Sequence, residues 1–351
     1  MTELSNEKSE ILIVGASYGL LLTSLLQSKG FGVTIFCSDQ EKKILTCSGI
    51  NIVKSEFHKF NINNGVQISS HNFSVISDLN EAISSLSKIK LIFLAVSEIH
   101  LYSDSLTKLI SSSNKLLIPK ISFMNLPIPS FLMDRLNISP KVISDVYLNH
   151  NHLLELLPEN LTMICNPEPQ VFRPGHDFNT IQIRLGGTFR VCRSSSSYTN
   201  NIFDSFLTSF AKHEPTFDLP ISLRAYESCF IGLSKLPMLM AGNYRCFNNQ
   251  GDLISISEAV SNNVNLSQSI YESVILLLKK MGAKRSELIP FRLYYAVSSK
   301  LTAPSSVCRS IANGAASIER ADKLIYSLMG LYNCDNTLIA DIVHSVDSKL
   351  L

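Results

Sequence analysis

The stretch ILIVGASYGLLL, residues 11–22, constrains this chain more than any other. Four apolar residues, mostly β-branched, run into Gly15 and then into a leucine-rich segment, the pattern of a buried strand, a tight turn and a helix. A helix that starts from such a turn presents backbone N–H groups without partners and the positive end of its dipole, and both attract phosphate. In the fingerprint GxGxxG the first glycine makes the turn, the second lets backbone approach a pyrophosphate, and the third lets helix and strand pack closely. Here the six positions read Gly15, Ala16, Ser17, Tyr18, Gly19 and Leu20. The first glycine is in place, Ser17 stands at the second, and Gly19 comes one residue early. Ser17 is small and carries its own donor, so the turn is weakened for phosphate rather than closed to it. A turn that only joins strand to helix is the competing reading.

The alternation continues along the first half. GVTIFC (32–37), KLIFLAV (90–96) and KLLIPKISF (115–123) are strand candidates separated by helix-like mixtures, which points to a parallel sheet covered on both faces. TIQIRLGGTFRVC reads as two further strands around Gly186 and Gly187, extending the sheet at one edge. After the polar break RSSSSYTNN the chain turns helical, in NIFDSFLTSFAKH, LRAYESCFIGLSKLPMLMAG, LSQSIYESVILLLKKMG and ERADKLIYSLMGLY. The expected architecture is an α/β, doubly wound Rossmann-type domain over residues 1–193, followed by an all-α domain over residues 194–351.

Composition removes several function classes. The 351 residues are 45% hydrophobic and 17% charged, ordinary for a globular chain, with a net charge of only +2. No basic face announces nucleic acid or an anionic membrane. No apolar run reaches the ~18 residues that span a bilayer, and the polar opening MTELSNEKSE cannot be the apolar part of a signal peptide, so a cytoplasmic protein is expected. Eight cysteines without a CxxC pair read mostly as reduced core residues. In NHNHLLE, His150, His152 and Glu155 lie close together but lack a fourth ligand, so a solvated loop and no metal are expected.

The end of the second strand bears on the choice of dinucleotide. NAD sites usually place an acidic residue there, which accepts bonds from the ribose hydroxyls and would repel a 2′-phosphate. This chain has FCSDQEKK, in which Ser38, Lys42 and Lys43 suit a phosphate and Asp39 argues the other way. The lysines read equally well as the solvated start of a helix.

Two stretches of the second half concentrate polar chemistry. In LSKLPMLMAGNYRCF, Lys235, Leu239, Gly242 and Asn243 recur at helical spacing, which would put a lysine and an amide on one face, while Pro237 starts or kinks the helix. In APSSVCRSIANGAASIERADKLI, Ser305 and Ser306 precede a glycine loop, Ser317 is placed to cap the next helix, and Glu319 and Asp322 suit its N-terminus.

With these segments the chain resembles the ketopantoate reductase family. The resemblance lies in the opening turn, in GVTIFC followed by CSGINI, in LIFLAVS and ISFMNLP at later strand ends, and in the two helical stretches. The family's lysine with an asparagine eight positions on matches Lys235 and Asn243, and its Ser-Ser pair before a glutamate matches Ser305, Ser306 and Glu319 in IERADKL. Its asparagine after a strand end matches Asn125. The chain departs from the pattern at Leu126, where glycine is usual, at Ser97, where lysine is usual, and at Leu239, where a second asparagine is usual. The spacing from Ser306 to Glu319 is also one residue longer.

The resemblance implies NADPH held by Gly15, Ser17, Tyr18, Gly19, Ser38, Lys42, Val96, Ser97 and Asn125, and hydride transfer to the carbonyl carbon of a small 2-oxo acid. It implies that Lys235 stabilises the carbonyl oxygen and delivers the proton, and that Glu319 binds a substrate hydroxyl or keeps Lys235 charged and aimed. Asn243, Ser305 and Ser306 would bind the substrate. The first substrate implied is 2-dehydropantoate, reduced to pantoate in pantothenate biosynthesis, and a homodimer is an assembly it allows. Two alternatives stay open: a reductase of this fold acting on another keto or imino compound, and a cofactor-binding or scaffold protein that has lost catalysis.

Overall fold

In the computed structural model, which describes residues 10–53, 65–174 and 177–350, ILIV is strand β1 (Ile11–Val14), buried at all four positions. Burial on both faces is what the centre of a parallel sheet demands. The other strands are β2 (Val33–Phe36), β3 (Ile50–Val53), β4 (Val66–Ile68), β5 (Ser74–Ile76), β6 (Leu91–Leu94), β7 (Lys120–Ser122), β8 (Thr162–Pro167), β9 (Gln170–Phe172), β10 (Thr180–Leu185), β11 (Gly187–Cys192) and β12 (Ile221–Tyr226). Helix α1 (Ser17–Ser28) joins β1 to β2, and α2 (Asp39–Ser48) joins β2 to β3.

Eight strands form one sheet in the order β12-β11-β8-β7-β6-β1-β2-β5. From β5 across to β8 every neighbour is parallel; β11 then runs antiparallel to β8, and β12 parallel to β11. The six parallel strands have the doubly wound Rossmann order, with the chain reversing its direction of travel across the sheet at β1. Ligands of such sheets bind outside the carboxyl ends of the strands at that point.

A second sheet, in the order β4-β3-β10-β9, was not foreseen. The expected pair around Gly186 and Gly187 separates: β11 extends the main sheet, whereas β10 lies parallel to β3 and antiparallel to β9. Both strands have the apolar character of a sheet, and that character does not say which sheet receives them.

The described chain divides into two compact units, Met1–Met124 with His152–Glu227, and Asn125–Asn151 with Ser228–Leu351. The boundary expected after Arg193 is therefore displaced. Helix Ser197–Lys212 lays Phe203 and Phe206 into the core of the first unit, where Phe206 meets Phe31 at 5.4 Å and Phe93 at 6.0 Å between ring centroids. LRAY, which opens a stretch expected to be helical, belongs instead to β12, with Leu223 buried and Arg224 exposed, and β12 pairs with β11 along its length. In the other direction, the first half contributes helices Pro129–Leu136 and Pro140–Ser144 to the second unit. Apart from an isolated bridge between Phe247 and Leu253, the described residues of that unit form helices and loops.

No helix among the described residues is long and apolar enough to cross a membrane. His150 and His152 lie on helix His150–Leu156 rather than in a loop, with His152 Nε2 3.2 Å from Thr107 Oγ1. No group of three or more His, Cys, Asp or Glu among the described residues is arranged to hold a metal. The eight cysteines carry free thiols, five of them buried. Residues 1–9, on which the reading of the polar opening rests, lie outside the described residues.

Lys120, at the start of β7, is fully buried, and its ammonium donates to the Ile118 carbonyl at 2.7 Å. Burial pulls its pKa from the usual 10.5 down to about 7. A base whose folded-state pKa is depressed costs nothing while both states are neutral. The cost builds as pH falls from about 10.5, where the unfolded chain takes up the proton first, and levels off below about 7. Lys120→Met removes a cost on the order of a few kcal/mol. Thermal unfolding is expected to show a larger gain in Tm over the wild type at pH 7 than at pH 10.

Candidate active site

The turn after β1 is built for close approach. Gly15 has φ +91°, and a β-carbon there would stand 2.7 Å from Val96 Cγ1 and 2.8 Å from the Ala95 carbonyl oxygen, so only glycine fits. Its N–H donates to the Phe36 carbonyl at 2.9 Å, which ties the end of β1 to the end of β2. Helix α1 then begins without a side-chain cap: Ala16 is the N-cap residue and Ser17, first in the helix, is exposed. The N–H groups of that first turn are free to take an anion, and the cradle at Gly15 fits a dinucleotide's pyrophosphate.

Gly19 does the work of the fingerprint's third glycine from one position early. It is buried, and a β-carbon on it would stand 2.9 Å from Ile13 Cγ2 on the adjacent strand. Tyr18 is the exception among the turn residues. Its phenol donates to the Pro169 carbonyl at 2.9 Å and its ring meets Phe189 edge-on at 6.4 Å. Burial raises its pKa well beyond the usual 10. The side chain is therefore structural, and only the backbone of Tyr18 is available to a ligand. Val96 and Ser97 follow β6, half-buried, with Ser97 as the N-cap residue of helix Glu98–Leu101 and its hydroxyl not used in the cap.

At the end of β2, Ser38 and Lys42 each meet a protein partner, and Lys43 is exposed. Ser38 caps α2 in a reciprocal box with Glu41: Glu41 N donates to Ser38 Oγ at 3.3 Å, and Ser38 N and Oγ donate to Glu41 Oε2 at 3.1 and 3.0 Å. Lys42 points to Glu81, with Nζ 3.6 Å from Oε2. Arg173, which the sequence reading passed over, reaches the same place, with Nη2 3.0 Å from Glu41 Oε1. The Cys37 thiol beneath is pushed up to about 12 by burial first and Glu41 second, with Arg173 and Lys42 opposing. Arg173 carries no sequence signal, because it arrives from β9 of the second sheet.

The second unit holds the remaining residues on one frame. Lys235 Nζ donates to Asn125 Oδ1 at 3.0 Å. Lys235 is half-buried and precedes helix Leu236–Ala241, whose start is set by Pro237. That helix stops at Gly242, and Asn243 opens the 3-10 turn Asn243–Arg245. Lys235 and Asn243 thus do not share one continuous helical face, contrary to the spacing argument. The carbonyl of Asn243 accepts from Ser305 Oγ at 2.5 Å and from Cys308 Sγ at 3.2 Å, while its side-chain amide makes no hydrogen bond among the described residues.

Ser305 is buried and caps helix Ser306–Ala312, accepting from Cys308 N at 3.1 Å; Ser306 is exposed. The Ser305 hydroxyl is thereby taken up by the protein's own backbone. Tyr244 donates to the Glu319 carbonyl and accepts from Ala321 N at 3.1 Å, so the short turn after Gly242 grips both later segments. Glu319 is only 6% exposed, which leaves little of it to act as a solvated surface charge. Ser317 does not cap the following helix. Ala321–Leu331 starts after Arg320, whose guanidinium forks onto Asp322 at 2.7 and 2.9 Å and also reaches Asp347.

No family model matches this chain, and no curated protein matches it in sequence. Solved structures do match in fold. A PanE/ApbA family ketopantoate reductase from Ralstonia eutropha is 14% identical, with 97% of this chain and 98% of that one covered and a TM-score of 0.65. A 2-dehydropantoate 2-reductase from Geobacter metallireducens is 12% identical, covering 96% and 99%, with a TM-score of 0.63. A D-mandelate dehydrogenase solved with NADH and anilino(oxo)acetate is 11% identical, covering 97% and 98%, with a TM-score of 0.61. The chain shares the fold of these proteins along nearly its whole length.

Gly15→Ala forces a β-carbon against the Ala95 carbonyl at positive φ, a strain of about 1–3 kcal/mol. The variant is expected to unfold at lower temperature and to bind a nicotinamide dinucleotide roughly tenfold or more weakly in a fluorescence titration. Ser17→Ala, which introduces no contact, should leave Tm unchanged.

Proposed function

We propose that this chain is a nicotinamide-dependent reductase of small 2-oxo acids, with NADPH as the donor and 2-dehydropantoate as the first substrate to test. The observation that carries the reading is the bond from Lys235 to Asn125. Two residues singled out from opposite halves of the sequence meet, the Lys235 ammonium donating to the side-chain oxygen of Asn125.

The bound dinucleotide supplies hydride to a carbonyl carbon. Gly15, Ser17 and the first turn of α1 would hold its pyrophosphate, and Val96, Ser97 and Asn125 would serve its nicotinamide end. Lys235 donates a hydrogen bond to the substrate's carbonyl oxygen, strongest when that oxygen becomes negative, and passes it the proton that completes the alcohol. Asn125 fixes the direction of the ammonium. Asn243 offers its free amide, and Ser306 its hydroxyl, to the substrate's carboxylate or hydroxyl. Ser305 acts through Asn243, whose backbone it grips, so it positions rather than binds. Glu319 takes a substrate hydroxyl or supports the charge on Lys235.

A reductase of the same type acting on another keto or imino compound is favoured by one observation. Leu239, where a second asparagine is usual in the resembling family, is apolar and 2% exposed, so that position offers no polar contact. A panel of 2-oxo acids and imines, followed by oxidation of NADPH, separates the two; oxidation with none of them at high enzyme concentration overturns both. Lys235→Ala is expected to lower kcat/KM about 10²–10³-fold while leaving the dissociation constant for NADPH within about twofold. Turnover that survives within a few fold would remove Lys235 from the chemistry.

A further inference from the structure

We propose that Arg173 is the residue by which this chain tells NADPH from NADH, with Glu41 as its resident counter-ion. The inference rests on the reading that a nicotinamide dinucleotide binds over α1. The two cofactors differ by one phosphate on the adenosine ribose, and in this fold that ribose reaches the end of β2. A carboxylate presented there favours the free hydroxyl, and an arginine nearby accommodates the phosphate.

Here the carboxylate at that place is turned inward. Glu41 Oε2 receives Ser38 N and Oγ, and Oε1 receives Arg173, so both oxygens are spent within the protein. Arg173 is held one carboxylate's width from the cap of α2. Its guanidinium has five N–H donors, of which only the one on Nη2 has an acceptor among the described residues; the buried Nε has none. Arg173 keeps 23% of its side chain exposed against 15% for Glu41, so the cation is the more accessible of the pair. The ring of Phe178 lies 5.7 Å from Cζ and limits where the guanidinium plane can go.

The second sheet is what brings it there. β3 follows α2 directly, β10 pairs with β3 and β9 with β10, so the residue after β9 returns to the start of α2. Ser38 is committed to its cap, and Lys42, 3.6 Å from Glu81, brings a point charge rather than a fork. A planar fork matches phosphate oxygens in a way a lysine does not.

The test measures dissociation constants for NADPH and NADH by nicotinamide fluorescence on the full chain, its Arg173→Ala, Arg173→Lys and Glu41→Gln variants, with thermal unfolding alongside. Arg173→Ala is expected to weaken NADPH roughly 10- to 100-fold and to change NADH less than about twofold, with Arg173→Lys between. Glu41→Gln keeps the capping geometry and removes the competing charge, so it should tighten NADPH a few fold, roughly, and leave NADH alone. If Arg173→Ala fails to fold, Glu41→Gln decides, and no change in NADPH affinity overturns the proposal. Equal effects of Arg173→Ala on both cofactors, or a wild type that binds NADH as tightly as NADPH, also overturn it while leaving the reductase reading intact. A wild type that binds neither dinucleotide removes both.

Discussion

At Gly15 the backbone passes so close to the Ala95 carbonyl and Val96 that no β-carbon fits, and everything proposed for the first unit depends on that approach. It lets β1 end within hydrogen-bond reach of the end of β2, beside the end of β6, and it launches α1 with its first N–H groups uncapped. Gly19 completes the arrangement one turn on by letting α1 lie against Ile13. Two of the close approaches that the fingerprint's glycines allow, at the turn and between helix and strand, are present here. The spacing of glycines in the fingerprint records where backbones must touch, and here the same touch is achieved one residue early.

The second unit works by a different constraint. The short turn after Gly242 uses backbone and tyrosine rather than the predicted side chains to collect its neighbours: Asn243 is gripped by Ser305, and Tyr244 grips Glu319 and Ala321. These bonds fix the segments that carry Ser306 and Glu319, and the amide of Asn243 makes no hydrogen bond among the described residues. Rigidity here comes from backbone and tyrosine groups other than those proposed to meet a substrate. Lys235 is likewise positioned from within the same unit, its ammonium donating to Asn125 Oδ1 at 3.0 Å.

Much of the fold was legible because it rests on local period. β1, β2, β6 and β7, the α1 turn, the parallel sheet and the helical second half all follow from apolar spacing and glycine placement. The misreadings share a cause. ISLRAY and the segment around Gly186 carry patterns compatible with several partners, and the helix Ser197–Lys212 looks the same whether it covers the sheet or opens a new domain. Among site residues, the turn glycines were readable from the string, but the engagement of Ser38, Lys42 and Tyr18 was not, since each is taken up by a neighbour the spacing does not name.

The sequence by itself determined most of the elements: the central strands, the glycine that makes the first turn, and a break in the helical run at Pro237. Tertiary structure alone decided the pairings. It set Arg173 against Glu41, 132 positions apart, and Lys235 against Asn125, 110 positions apart. The physical reason is that periodicity reports which face of a segment must be covered. What covers it is settled only when sheets choose their edges and the chain closes loops of that length.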